Sequence, residues 1–295
     1  MLAENASIKF KLKEKMKSYI YILFILFLNN IQSQSIIVID SLYHKPIPFV
    51  NIQFNKNSGT YTNENGVFEV NRNTKDTLRL SHISYSDYEV KASDVKDTII
   101  LSPNAILLTE VKITNGKKTK KYLDFPRKNS SFGSFPVISK SEIITLIVPN
   151  IENTNSIITK LDFKFERKKY DENKNNIKTA FRVNIYDSKK EKIQNKIFSS
   201  EVFIIDATKK EKIDIDLSAE YIELSNNGLF IGIEVIGNID QNGNITEEKS
   251  SIRPILTDNT INDYSAKTFF KYTFDKKLNL NPINDVFEKN SNKKI

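Results

Sequence analysis

Between Ile36 and Ile113 short β-prone runs alternate with turn chemistry, and this repetition limits the fold more than any other feature of the chain. Ile36-Ile37-Val38-Ile39 closes on Asp40, and Val50, Ile52 and Phe54 alternate with polar neighbours behind Pro46 and Pro48. Successive side chains of a strand point to opposite faces, so this alternation marks strands buried on one side. The same reading predicts strands at 60–62, 67–70, 77–83, 88–90, 98–101 and 107–113, each bounded by Asp, Asn, Ser, Gly or Pro. Asn65-Gly66 predicts a hairpin that returns Thr60–Thr62 as Val67–Val70, because both residues tolerate positive φ. Many short strands with frequent turns indicate a β-sandwich.

The segment before this region reads as an export signal. Lys17 precedes ten apolar or aromatic residues, Tyr19–Leu28, and then Asn29–Ser35, which is mostly polar. A spanning helix needs about 20 apolar residues, so the run is short for a membrane crossing. A basic start, a short apolar middle and a small-residue end fit a cleavable signal peptide within 1–35, cut after Ser33 or Ser35. Met16-Lys17-Ser18 would itself start such a signal, which raises Met16 as the initiator in place of Met1. The chain has no Cys, which excludes a disulfide framework and a Cys-linked lipid anchor.

The full chain carries a formal charge of +8, of which residues 1–33 contribute five lysines against two glutamates. The remainder is moderately basic. Its densest clusters, Lys117–Lys121 with Arg127-Lys128 and Arg167–Lys169, read as solvated surface, since nucleic-acid binding wants basic residues on a recognised module.

Three motifs carry a resemblance. Pro46-Ile47-Pro48-Phe49-Val50-Asn51-Ile52 is followed by Gly59-Thr60-Tyr61-Thr62-Asn63-Glu64-Asn65-Gly66-Val67-Phe68, and Leu108-Thr109-Glu110-Val111-Lys112-Ile113 comes last. In this order they resemble the carboxypeptidase regulatory-like domain of Bacteroidetes envelope proteins. His82-Ile83-Ser84-Tyr85 departs from that pattern, with Ser84 where Gly is usual. The resemblance implies a transthyretin-like seven-stranded sandwich without activity of its own, spanning 36–113, and it brings no peptidase residues.

Residues 114–140 read as a linker with local order around Tyr122–Phe125, and residues 281–295 as a polar tail. Between them, 141–280 returns to the β pattern at 143–148, 157–165, 180–186, 202–205, 212–217, 228–236 and 268–274. The fold class is therefore all-β, with a second, jelly-roll-like β-sandwich after the first.

Catalytic equipment is sparse. Only His44 and His82 could act as imidazole bases, one in a turn and one in a strand, and no HExxH or strained Gly-rich Ser elbow is present. No catalytic, cofactor or metal residues are expected. Three acids remain as ligand candidates: Asp214 and Asp216, which alternate on one strand face opposite Ile213 and Ile215, and Glu234, which interrupts an apolar run. Asp240–Asn244 places oxygens at the spacing of a calcium loop but lacks its glycine and its closing Glu, so a polar hairpin loop is expected. Tyr264, Phe269, Phe270 and Tyr272 are read as core rather than as a sugar-stacking platform. The function expected is that of an exported, non-enzymatic periplasmic or cell-surface protein that scaffolds or docks envelope proteins. It should have no transmembrane anchor once mature and no nucleic-acid partner. The alternatives are a glycan or small-ligand binder using the second sandwich, or a hydrolase using Asp214, Asp216 or Glu234.

Overall fold

The computed structural model describes residues 34–55, 57–104, 138–150, 156–167, 178–206, 211–246, 250, 252–254, 264–275, 277–283 and 285. The signal segment, the run at 107–113 and the linker with its basic cluster lie outside them.

The first half holds β1 (Gln34–Asp40), β2 (Asn51–Asn55), β3 (Ser58–Tyr61), β4 (Val67–Val70), β5 (Thr77–His82), β6 (Tyr85–Lys91) and β7 (Thr98–Leu101). They form two sheets, ordered β4-β1-β7 and β3-β2-β5-β6, with β1 and β7 parallel. The alternating residues meet between the sheets: Ile36, Val38, Phe68, Val70, Ile99 and Leu101 from one, and Ile52, Leu78 and Leu80 from the other. This is a seven-stranded β-sandwich.

Two local expectations fail here. β3 pairs with β2 and β4 pairs with β1, so Asn63–Gly66 is a corner between sheets and not the predicted hairpin. The buried Thr62 hydroxyl donates to Ile47 O at 2.8 Å and accepts from Val50 N at 2.9 Å, which draws the chain away from β2. Asn63 Oδ1 then accepts from the amides of Asn65 and Val67 and closes the corner. Phe49, expected to open a strand, has φ of 56° and sits in a turn before β2. A bulky residue there is strained and needs outside support.

The second half comprises β8 (Ser141–Pro149), β9 (Ser156–Ile158), β10 (Lys160–Arg167), β11 (Lys178–Lys189), β12 (Lys192–Ser199), β13 (Phe203–Asp206), β14 (Glu211–Asp216), β15 (Ile222–Leu224), β16 (Leu229–Ile239), β17 (Ile245–Thr246), β18 (Ile252–Pro254), β19 (Tyr264–Tyr272) and β20 (Asn281–Pro282). An eight-stranded sheet runs β12-β11-β16-β8-β19-β20, with β13 continuing beside β11 and β17 beside β16. A three-stranded sheet, β14-β10-β18, and the pair β15-β9 complete the half. Phe165 from β10 packs against Phe181 and Phe203 of the large sheet at ring separations of 4.9 and 6.0 Å. Ile143, Ile233, Val235 and Phe270 share that core. The second half is thus also a sandwich.

The run at 157–165, read as one strand, divides at Thr159 into β9, which pairs with β15, and β10, which pairs with β14. The tail expected from 281 begins instead with β20, and Ile283 is buried in the same core as Phe270. Tyr264 and Phe270 are core as expected, Phe269 is half-buried, and Tyr272 is exposed.

Candidate functional site

The large sheet has a second face, opposite its sandwich core, and the polar residues of four strands meet on it. Register pairs Arg182 of β11 with Glu234 of β16, Glu234 with Glu142 of β8, and Glu142 with Lys271 of β19. One row across four strands therefore reads cation, acid, acid, cation. Because side chains repeat every second residue, all four lie on one face. Glu142 and Glu234 are wholly buried, and Arg182 and Lys271 are 4% and 3% exposed.

Two carboxylates facing each other on neighbouring strands repel. Here each has its own cation: Arg182 Nη1 lies 3.8 Å from Glu234 Oε2, and Lys271 Nζ contacts Glu142 Oε2 directly. The row two residues on adds Asn184, whose Nδ2 donates to Glu234 Oε2 at 2.9 Å and to Glu142 Oε1 at 3.1 Å. Ser199 Oγ donates to Asn184 Oδ1 at 2.7 Å and fixes that amide. Tyr186, one further row along, donates to both Glu142 oxygens at 3.1 and 2.8 Å. Its ring lies beneath the Lys271 and Lys196 ammonium groups, 5.4 and 5.6 Å from its centre. Gly232 makes room for this arrangement, since a Cβ there would stand 2.0 Å from Glu142 Oε1.

Burial pushes the Glu234 carboxyl up, but Arg182, Lys196 and the hydrogen bonds from Asn184 and Tyr61 outweigh it and hold the group down at about 2. Burial also drives the Tyr61 and Tyr186 phenols well above their usual value, so both stay protonated as donors. The network is ionised at its carboxylate and closed to solvent.

The first sandwich closes it. Tyr61 OH from β3 donates to Glu234 Oε1 at 2.7 Å. Arg182 reaches the other way, with Nη2 donating to Phe49 O at 2.7 Å and Nη1 to Asn51 Oδ1 at 3.0 Å. The left-handed turn at Phe49 is what aims that carbonyl at the guanidinium. Around this polar contact Phe49 and Tyr61 pack with Ala180, Ile236, Ile239 and Phe274 in a cluster drawn from both halves. Gly59 lets it close: a Cβ there would meet the Phe274 ring at 2.3 Å. At the rim Glu64 N donates to Gly243 O, and Asn63 Nδ2 donates to Asn244 Oδ1 at 2.8 Å. Asp240 caps that β16–β17 loop by accepting from the Asn242 and Asn244 amides. Among the described residues no group of three or more His, Cys, Asp or Glu could hold a metal ion.

Of the three acids singled out in the sequence, only Glu234 belongs to this network. Asp214 lies exposed on β14, 3.0 Å from both Lys160 and Lys212, and Asp216 accepts from Ser218 N in a local turn. Sequence reasoning passed over Glu142, Arg182, Asn184, Tyr186 and Lys271. All are polar or amphipathic positions of alternating strands, so they read as solvent-facing. The available signal was their shared phase, which becomes informative only once the register is known.

Residues 37–113 match the family model of the CarboxypepD_reg-like domain, so the first sandwich is a carboxypeptidase regulatory-like domain. No curated protein matches the chain.

Proposed function

We propose that this is an exported, non-enzymatic protein of the bacterial envelope that docks or scaffolds other envelope proteins. The observation that carries the reading is the way the acids of the buried charged row are used. Glu142 and Glu234 are paired with Lys271 and Arg182, take donors from Asn184, Tyr186 and Tyr61 of the regulatory-like domain, and are wholly buried, so neither carboxylate faces solvent. A regulatory-like domain at 37–113 and the signal-like segment at its N-terminal side support the place and the role. Among the described residues no helix is long and apolar enough to cross a membrane, which says nothing of a β-barrel. Exposed Leu42 and Tyr43, 65% and 75% accessible beside the end of β1, offer the regulatory-like domain an apolar point of contact.

The test has two parts. Cell fractionation with immunodetection should place the protein in the envelope, and a photo-crosslinker at Tyr43 should yield one discrete adduct there that Leu42→Asp abolishes. Purified protein should meanwhile show no thermal shift against a panel of glycans, short peptides and Ca²⁺. A ligand at 100 times its dissociation constant adds about 2.7 kcal/mol, which such a scan detects. A sugar-specific shift would move the function to glycan binding by the second sandwich, and turnover of any panel member would overturn the non-enzymatic reading.

A further inference from the structure

The buried row holds more than salt bridges. Lys271 and Glu142 are register partners on adjacent strands, their side chains are in direct contact, and both are cut off from water. Asn184 Nδ2 donates to Glu142 Oε1 at 3.1 Å, Tyr186 OH lies 3.1 Å from Oε1 and 2.8 Å from Oε2, and Lys271 stands at Oε2. Oε1 is thus held by donors alone, while Oε2 faces the amine as well as the phenol. Acyl transfer needs these two elements, a fixed donor at the oxygen that becomes negative and a nucleophile held beside the carboxyl group.

We propose that Glu142 and Lys271 condense to an intramolecular isopeptide bond that staples β8 to β19. A proton passes from Lys271 Nζ to Glu142 Oε2, leaving a neutral amine and a carboxylic acid. Nζ then attacks Cδ, and the charge develops on Oε1, where Asn184 donates and the Tyr186 hydroxyl is within reach. A second proton moves from Nζ to Oε2, which departs as water. The carbonyl re-forms, and Nζ keeps one hydrogen as the amide. Atoms and charge balance with no further reactant.

Burial supplies both the means and the drive. Taking two full charges out of water is costly, whereas the product amide is neutral and can keep the same donors. Excluding water from the site protects the product from hydrolysis. Glu234 contributes as a positioning residue, since it accepts the Asn184 amide at 2.9 Å and so helps orient it beneath Glu142. The chain has no cysteine, so no disulfide can brace these strands.

The measurement is the intact mass of the purified full-length product, against the sequence mass counted from its experimentally determined N-terminus. The expected result is a mass lighter by one water, with no tryptic cleavage after Lys271 and a branched peptide joining Ser141–Lys160 to Thr268–Lys276. Lys271→Arg, which keeps the charge but cannot form the amide under these conditions, should restore the full mass. An unmodified mass with ordinary cleavage after Lys271 overturns the proposal, as does a loss of water that persists in Lys271→Arg.

Discussion

Two quartets of charged side chains, each with two acids and two bases on neighbouring strands, occupy opposite situations in the second sandwich. Lys160 and Asp162 of β10 and Lys212 and Asp214 of β14 form four contacts of 3.0–3.3 Å on the outer face of the small sheet. Their side chains are 35–48% exposed. In the other quartet Arg182 stands 3.8 Å from Glu234 and Lys271 touches Glu142 directly, and all four are buried, Arg182 and Glu234 against the regulatory-like domain. By number of ion pairs, four against two, the exposed quartet looks the stronger. Water reverses the order, because exposed pairs trade solvent contacts for equivalent ones and are screened by salt. In the buried quartet each charge depends on its partner, and removing one leaves another desolvated and unmatched.

The largest effect should come from breaking the buried row. Arg182→Ala strands Glu234 and removes the support of the Phe49 turn, so a loss of about 3–5 kcal/mol is expected in urea denaturation. Replacing both members by apolar residues, Arg182→Met with Glu234→Leu, should recover much of that loss. An unrecovered double variant would mean that the interdomain hydrogen bonds, and not the stranded charge, dominate. Gly59→Ala tests the apolar part of the same interface. The Phe274 ring at 2.3 Å and the Ile52 carbonyl of β2 at 2.6 Å must both give way, and a cost of about 1–3 kcal/mol is expected from overpacking, read as a lower melting temperature.

Acid provides a graded test. His82 is held down at about 4, first by burial and then by the positive charge of Arg182. As pH falls below 6.5 the unfolded chain binds a proton that the folded His82 refuses until about 4, so stability should decline across that window. Glu234 acts lower down. Its folded value of about 2 lies under the usual 4.5, and its contribution is complete above 4.5 and lost as pH falls towards 2. His82→Gln should flatten the slope between pH 6.5 and 4 and leave the lower limb in place. An unchanged upper limb would show that His82 is not the group responsible. The smallest effect belongs to the exposed quartet. Lys212→Ala or Asp214→Asn should leave the melting temperature within experimental scatter, and any difference should vanish at high salt.

The comparison also explains what could be read from the chain. Asp214 and Asp216 were placed on a solvent face opposite Ile213 and Ile215, and that is where they lie, because one strand's alternation is a local property. Glu234 was noticed since it interrupts an apolar run. Its partners were missed because Glu142, Arg182 and Lys271 each sit in an ordinary alternating strand, where a polar residue means solvent by default. The predicted Asn65-Gly66 hairpin failed for a related reason. The dipeptide specifies a tight turn, but whether that turn joins strands of one sheet or of two depends on what Thr62 and Phe68 pack against.

The two halves were separable as text and are joined as an object. Period-two patterning and turn residues determined an all-β chain, and motifs in order gave its first half the resemblance to a regulatory-like domain, since these features act over a few residues. Only the tertiary structure decided that both faces of the large sheet are buried, that Gly59 and Gly232 are clearances for Phe274 and Glu142, and that four distant charges form one row. Burial depends on what covers a face, and here the cover comes from strands more than a hundred residues away in the chain.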